Sequence, residues 1–303
     1  MPLISGEVRN AAGELSAGNI VRLYSRANGA FLGETKSSDG TGIADPFFNN
    51  VSLLLHCDGE QGSSQVIDSS KYQHQFSATN VYHSNENIVF GSNTLKFIDN
   101  NSQVFTPAND GFNFGTGDFT IELIANPKYY SYQALMSNGG PDGNKGFMLS
   151  LTDYGYYRFQ VLGSPSFNLQ TQAYYPINKN THIVVERYAG TVRIYADGQI
   201  VQEGIFTSNI SSDARLFIGY YENYYAYFYR NAFISELRIT KGVARYKGAF
   251  QPPTEKHPDL SSMVPFGKYS MQTPYSSEVF VVCHSKDEGG VIRNDRIHRT
   301  IPI

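Results

Sequence analysis

The chain of 303 residues has no tryptophan, two cysteines and only 17% charged residues. Cys57 and Cys283 stand far apart, each in a hydrophobic, strand-like run. Two such thiols read as reduced core residues rather than a disulfide framework, and their spacing excludes a cysteine-rich zinc site. The 24 Lys and Arg against 27 Asp and Glu leave a net charge of −3. The clustered basic residues that nucleic-acid binding requires are missing. Long hydrophobic runs are missing too: the longest aliphatic run, Val51-Ser52-Leu53-Leu54-Leu55, is far short of the ~20 residues that cross a bilayer as a helix, so no membrane insertion is expected. No basic segment followed by an apolar one precedes the first strand-like run, so no secretory leader is expected. Helical patterning is scarce as well. No stretch holds an apolar i, i+3, i+4, i+7 face for three turns, and residues 243–250 read as one short helical turn.

Apolar residues, strand patterning and turns are plentiful. With 41% hydrophobic and 14% aromatic residues the chain can bury a sizeable core, and its length suits about two domains. Asp-Gly occurs at 39–40, 58–59, 110–111, 142–143 and 197–198, and Asn-Gly at 28–29 and 138–139. These pairs tolerate positive φ and favour tight hairpin turns. Between them lie short alternating runs, as where Phe119, Ile121 and Leu123 interleave with Thr120 and Glu122. Residues 192–196, Asp197-Gly198 and 199–201 predict a hairpin closed by a type I′ turn. Further strands are predicted at 147–151, 156–162, 183–187, 216–220 and 233–239. Many short strands with frequent turns predict an all-β, antiparallel sandwich or jelly roll.

The ends differ from the middle. Residues 3–36 hold three strand-like runs and residues 268–303 hold about as many. Three strands cannot form two facing sheets, but six can, so the ends are expected to fold together as one small domain. The boundaries read as 1–42 plus 265–303 for this discontinuous domain and 43–264 for the inserted one, linkers included. Insertion into a surface hairpin loop is a tolerated arrangement.

Specific motifs carry a resemblance through the middle. They are Val51 to Gly59 with Cys57 where an aromatic is usual, Asp68-Ser69-Ser70, Gly91 to Phe97, and Phe114-Gly115-Thr116-Gly117-Asp118-Phe119-Thr120-Ile121-Glu122. Ile234-Ser235-Glu236-Leu237-Arg238-Ile239 through Tyr246, and Phe250-Gln251-Pro252-Pro253, close the series. In this order they resemble a laminin-G-like or pentraxin-like jelly roll of the concanavalin A superfamily, in the form common in bacteriophage tail and virion proteins. The ends, from Ile4-Ser5-Gly6-Glu7-Val8 to Ser38-Asp39-Gly40 and from Tyr269 to Pro302, resemble a carboxypeptidase-regulatory or transthyretin-like β-sandwich with Ig-like architecture. Together these resemblances imply a non-enzymatic structural protein of a tailed bacteriophage, in the tail or a fibre-like appendage. The small sandwich would dock on the particle and the jelly roll would project outward, towards a host-surface polysaccharide or receptor. The implied partners are other virion proteins and further copies of the chain, a trimer being the expectation for an appendage. Synthesis in the host cytoplasm and residence in the virion follow. The alternatives are a purely architectural capsid decoration or tail adaptor protein, and a glycan-degrading enzyme.

Catalytic motifs are absent: there is no Gly-x-Ser-x-Gly, no His-Glu-x-x-His and no nucleotide-binding glycine pattern. Glu122 and Glu236 sit in predicted strands, but the Glu-x-Asp-x-x-Glu pattern of the fold's glycosidases is not present, so no catalytic residue is assigned. His56 and Asp58 flank Cys57 without a third ligand nearby, so a packed polar strand end is favoured over a metal site and no metal ligands are assigned. The resemblance raises a structural calcium, with Asp58, Asp68 and Asp118 as its contributors. Ser235 stands where the family often has Asp, which removes one candidate carboxylate. The distinctive feature is tyrosine. Fourteen of the 22 fall in four clusters: 129–132, 154–157, 174–175 and 220–229. The densest holds Tyr220, Tyr221, Tyr224, Tyr225, Tyr227 and Tyr229, and these six are the predicted ligand- or partner-binding residues, since tyrosine gives rigid, amphipathic contact area.

Overall fold

The computed structural model describes residues 45–140, 142–143, 145–222 and 232–259, together with the backbone strands at 3–7, 20–25, 31–36, 268–272, 279–286, 292–295 and 300–301. Two compact units emerge, one from Met1–Pro46 with Leu260–Ile303 and one from Phe47–Asp259. No helix among the described residues is long and apolar enough to cross a membrane.

In the smaller unit the strands of both chain ends share sheets. The first half supplies β1 (Leu3–Glu7), β2 (Ile20–Ser25) and β3 (Phe31–Lys36). The larger unit then runs through β4 (Val51–Leu55), β5 (Ser77–Thr79), β6 (Val81–Val89), β7 (Ser92–Phe97) and β8 (Gln103–Thr106). It continues with β9 (Phe119–Asn126), β10 (Gln133–Ser137), β11 (Phe147–Leu151), β12 (Tyr157–Val161) and β13 (Phe167–Gln170). β14 (Thr181–Tyr188), β15 (Thr191–Ala196), β16 (Gln199–Ile205), β17 (Leu216–Ile218) and β18 (Ala232–Lys241) complete it. The smaller unit resumes with β19 (Lys268–Gln272), β20 (Val279–Lys286), β21 (Ile292–Asp295) and β22 (Thr300–Ile301). There β1 pairs antiparallel with β19, while β20 pairs with β2, β21 and β22, and β2 also pairs with β3.

The larger unit is an antiparallel jelly-roll sandwich. One sheet orders its strands β13-β12-β11-β10-β17-β8-β5, and the other β16-β15-β14-β9-β18-β7-β6, with β4 also paired to β18. Alternation explains the facing. Phe119, Ile121, Leu123 and Ala125 of β9, Ile183 and Val185 of β14, and Val192 and Ile194 of β15 all enter the core between the sheets. β18 breaks the period of two: its core residues Ile234 and Leu237 lie three apart. A bulge between Ser235 and Arg238 absorbs the extra residue, with Glu236 at φ 48°. Arg238 is thereby returned to the outer face, directly opposite Glu122.

The Phe114–Phe119 motif has a packing role. Arg187 is fully buried and stacks 5.2 Å from the Phe119 ring centroid. Its guanidinium donates to the Gly117 carbonyl (2.8 and 2.6 Å), the Gly115 carbonyl (2.7 Å) and the Ser208 carbonyl (2.9 Å). The Asp118 carboxylate accepts from the Ala189 N–H at 2.9 Å.

Residues 243–250 form no helical turn, contrary to the sequence pattern. Their N–H groups have other acceptors: Arg245 donates to Thr120 Oγ1, and Tyr246 and Lys247 donate to the Glu186 carboxylate at 2.8 and 2.7 Å. Sheet side chains thus replace the intrahelical carbonyls, and the segment follows an irregular path with bends at 245, 247 and 248 and Lys247 at φ 61°.

Candidate functional site

Three of the four tyrosine clusters meet in space. The β9–β10 loop carries Lys128 to Tyr132, the β11–β12 turn carries Tyr154 and Tyr156, and the β13–β14 loop carries Tyr174, Tyr175 and Asn178. Backbone bonds tie the loops together: Tyr175 N–H donates to the Gly155 carbonyl and Asn178 N–H to the Pro127 carbonyl, both at 2.8 Å. Gly155 allows the closest approach. It has φ 77°, and a Cβ there would stand 2.7 Å from the Tyr130 ring and 3.4 Å from Tyr174 Cβ. The rim is also open to solvent, with Tyr154 76%, Tyr174 68%, Tyr129 51% and Tyr130 43% exposed.

Beside Tyr129 lies a cleft of about 270 Å³ lined by Glu86, Lys128, Tyr129, Asn178 and Phe233. Lys128 Nζ sits 5.1 Å from the Phe233 ring centroid. Glu86 pairs with Lys96, whose hydrogen bond and charge lower the Glu86 carboxyl pKa and keep it ionised. An ammonium, a carboxylate, an amide and two aromatic faces therefore converge in one small, open depression. Such a mix presents donors and acceptors to hydroxyl groups and flat faces to C–H surfaces.

The predicted 220–229 loop is described only at its start. Tyr221 is buried against Ala134 and Met148 on the outer face of the β10–β11 pair, with Tyr132 and Leu162 beside it. Tyr220 is half-buried; its ring packs 5.0 Å from Phe217 and its carbonyl accepts from Ser137 Oγ. Tyr224, Tyr225, Tyr227 and Tyr229 lie outside the described residues.

The calcium candidates occupy three separate settings. Asp58 pairs with Lys256 at 2.6 Å. Asp68 accepts from Leu54 N–H, Ser70 N–H, Ser70 Oγ, His74 N–H and His74 Nδ1, so its carboxylate organises the turn after β4. Asp118 holds the Ala189 N–H. His56 and Asp58 have separate partners: with Cys57 between them at φ 62°, His56 Nδ1 bonds Glu236 at 3.1 Å and Asp58 pairs with Lys256.

The outer face of the β9–β14–β18 sheet was not legible as a site. Glu122, Glu186 and Glu236 are all fully or almost fully buried there beneath residues 243–257. Burial would raise the Glu122 carboxyl pKa, but the neighbouring Arg238 guanidinium holds it well below the usual carboxylate value. Arg238 Nε and Nη2 both bond Glu122 Oε1 at 2.8 Å, and Tyr246 donates to Oε2 at 2.6 Å. Glu186 accepts from Tyr195 Oη at 3.0 Å, and Glu236 from the His257 N–H at 2.9 Å. None of the three faces solvent, so none is placed to act on a glycan. Among the described residues, Glu122, His182 and His257 form the one group of three side chains able to hold a metal.

Residues 99–244 match the family model Laminin_G_3, described as the concanavalin A-like lectin/glucanases superfamily. No curated protein matches the chain. Among solved structures, the binding domain of Paraclostridial Mosquitocidal Protein 1 aligns at 16% identity and TM-score 0.53, covering 66% of this chain and 51% of that one. Domain 4 of AbnA, a GH43 extracellular arabinanase from Geobacillus stearothermophilus, was solved in complex with arabinotriose. It aligns at 17% identity and TM-score 0.52, covering 65% and 95%. The receptor binding domain of botulinum neurotoxin D aligns at 12% identity and TM-score 0.51, covering 65% and 51%. The chain thus spans about half the length of the two toxin binding domains. At such identities the likeness is one of fold, an antiparallel jelly-roll sandwich.

Proposed function

We propose that the larger unit is a non-catalytic glycan-binding module, its ligand seated in the Glu86/Lys128/Tyr129/Asn178/Phe233 cleft and running along Tyr130, Tyr154 and Tyr174. The convergence of three tyrosine loops beside a polar, aromatic-walled cleft carries this reading. Tyrosine rings stack on the C–H faces of sugars and lose little entropy on binding, while the charged and amide groups fix hydroxyls. The likeness to an arabinanase domain solved with arabinotriose supports it at the level of fold. We also propose that the chain serves a tailed-bacteriophage virion, with the smaller, transthyretin-like unit as the docking part and the jelly roll carrying host-surface recognition. The motif resemblance and the discontinuous smaller unit support that setting. If the 220–229 loop contributes, it does so through Tyr224, Tyr225, Tyr227 and Tyr229, because Tyr221 is committed to packing.

A glycan array probed with labelled full-length protein tests the proposal, beside Tyr154→Ala/Tyr174→Ala and Tyr224→Ser/Tyr225→Ser/Tyr227→Ser variants. Each stacked ring is worth on the order of 1 kcal/mol, so the first variant should lose roughly tenfold or more in affinity. Equal binding by wild type and the first variant would refute the rim. Loss only in the second would move the site to the 220–229 loop. Absence of binding by folded wild type would favour the architectural role.

A further inference from the structure

Between the β9–β14–β18 sheet and the segment that follows β18, one carboxylate and two imidazoles are buried side by side. β9 and β14 present Glu122 and His182 on the same outer face, because alternate residues of both strands enter the core. His257 comes from the covering segment and is anchored through its own N–H to Glu236. All three side chains are at most 5% exposed. His182 Nε2 stands 3.2 Å and His257 Nε2 3.6 Å from the same oxygen, Glu122 Oε2. The second distance is too long for a hydrogen bond, and His257 Nε2 is buried without a partner. A buried imidazole nitrogen aimed at a carboxylate oxygen and satisfied by nothing costs free energy unless something sits between them.

We propose that Glu122, His182 and His257 bind one divalent transition-metal ion of the Zn²⁺ type, which clamps the segment after β18 onto the sheet. Ligand bonds of about 2.0–2.1 Å in a tetrahedral arrangement place donor atoms about 3.3–3.4 Å apart, and the two measured separations bracket that value. Two imidazoles and a carboxylate suit Zn²⁺ better than Ca²⁺ or Mg²⁺, which prefer oxygen. The surroundings resemble an outer ligand shell: Arg238 fixes Oε1 and Tyr246 fixes Oε2, orienting the carboxylate. The positive charge of Arg238 and Arg245 opposes a cation, so affinity should be moderate.

The test loads chelator-stripped full-length protein with ZnCl₂ and measures retained metal by mass spectrometry after gel filtration, and the unfolding midpoint with and without zinc. Wild type should retain one ion per chain and unfold at a higher temperature with zinc. His257→Ala, shown folded by circular dichroism, should bind roughly tenfold more weakly or worse and lose the zinc-dependent rise. Wild type that retains no zinc, or a folded His257→Ala that binds as wild type does, overturns the proposal. If His257→Ala fails to fold, Co²⁺ loaded into wild type decides. Intense visible d–d bands of a four-coordinate ion support the site, and the weak bands of a six-coordinate ion overturn it.

Discussion

Replacing Arg187 with leucine tests the account of the Phe114–Phe119 motif most directly. The guanidinium makes four hydrogen bonds to three carbonyls in a fully buried setting. Arg187→Leu keeps an aliphatic side chain against Phe119 but supplies no donor. The Gly115 carbonyl retains the Ile210 N–H, so the loss falls on the Gly117 and Ser208 carbonyls. Each orphaned carbonyl costs about 1–3 kcal/mol, and part is offset because no charge is then desolvated. The expected net loss is about 3 kcal/mol. For a domain of this size that lowers the jelly-roll transition by roughly 6–12 °C, read by scanning calorimetry. Arg187→Lys should fall between the two, since one ammonium cannot reproduce a planar fork reaching three acceptors. A loss below about 1 kcal/mol for the leucine variant would show that water reaches these carbonyls and would refute the assignment.

Two more perturbations follow from the same geometry. In Asp68, burial favours the neutral acid, but the hydrogen bonds of His74, Leu54 and Ser70 outweigh it and lower the pKa. A depressed folded-state pKa contributes stability above the unfolded value of about 3.9, lost as pH falls through the folded value. Asp68→Asn should therefore cost about 1–3 kcal/mol at neutral pH and flatten that acid limb in urea titrations; an unchanged acid limb would show that Asp68 does not drive it. Gly198 has φ 80°, and a Cβ there would collide with the Phe250 carbonyl oxygen, whose own N–H donates to Gly198 at 2.9 Å. Gly198→Ala should destabilise by more than about 1 kcal/mol and speed hydrogen exchange at Phe250; unchanged exchange there would show that the segment is held elsewhere.

Alternation and turn chemistry made the sandwich readable from the residues alone. The predicted run 147–151 coincides with β11, and Asp197-Gly198 joins β15 to β16 with both residues at positive φ, as a type I′ turn requires. These features are local: which face a side chain takes, and which dipeptide reverses the chain, depend on neighbours within a few positions. The order of strands, the bulge that returns Arg238 to Glu122, and the path of 243–257 depend on residues from tens to more than a hundred positions apart. Residues 243–250 misled the sequence reading because their N–H partners, Thr120 and Glu186, come from other strands. The tyrosines were conspicuous as composition, yet only tertiary packing shows that three clusters form one rim around Gly155 and Pro127 and that Tyr221 is buried against Ala134 and Met148. Glu122, His182 and His257 carry no spacing signal at all. Their convergence is a product of sheet pairing and of the segment folded across it, since ligand geometry depends on distance in space and not along the chain.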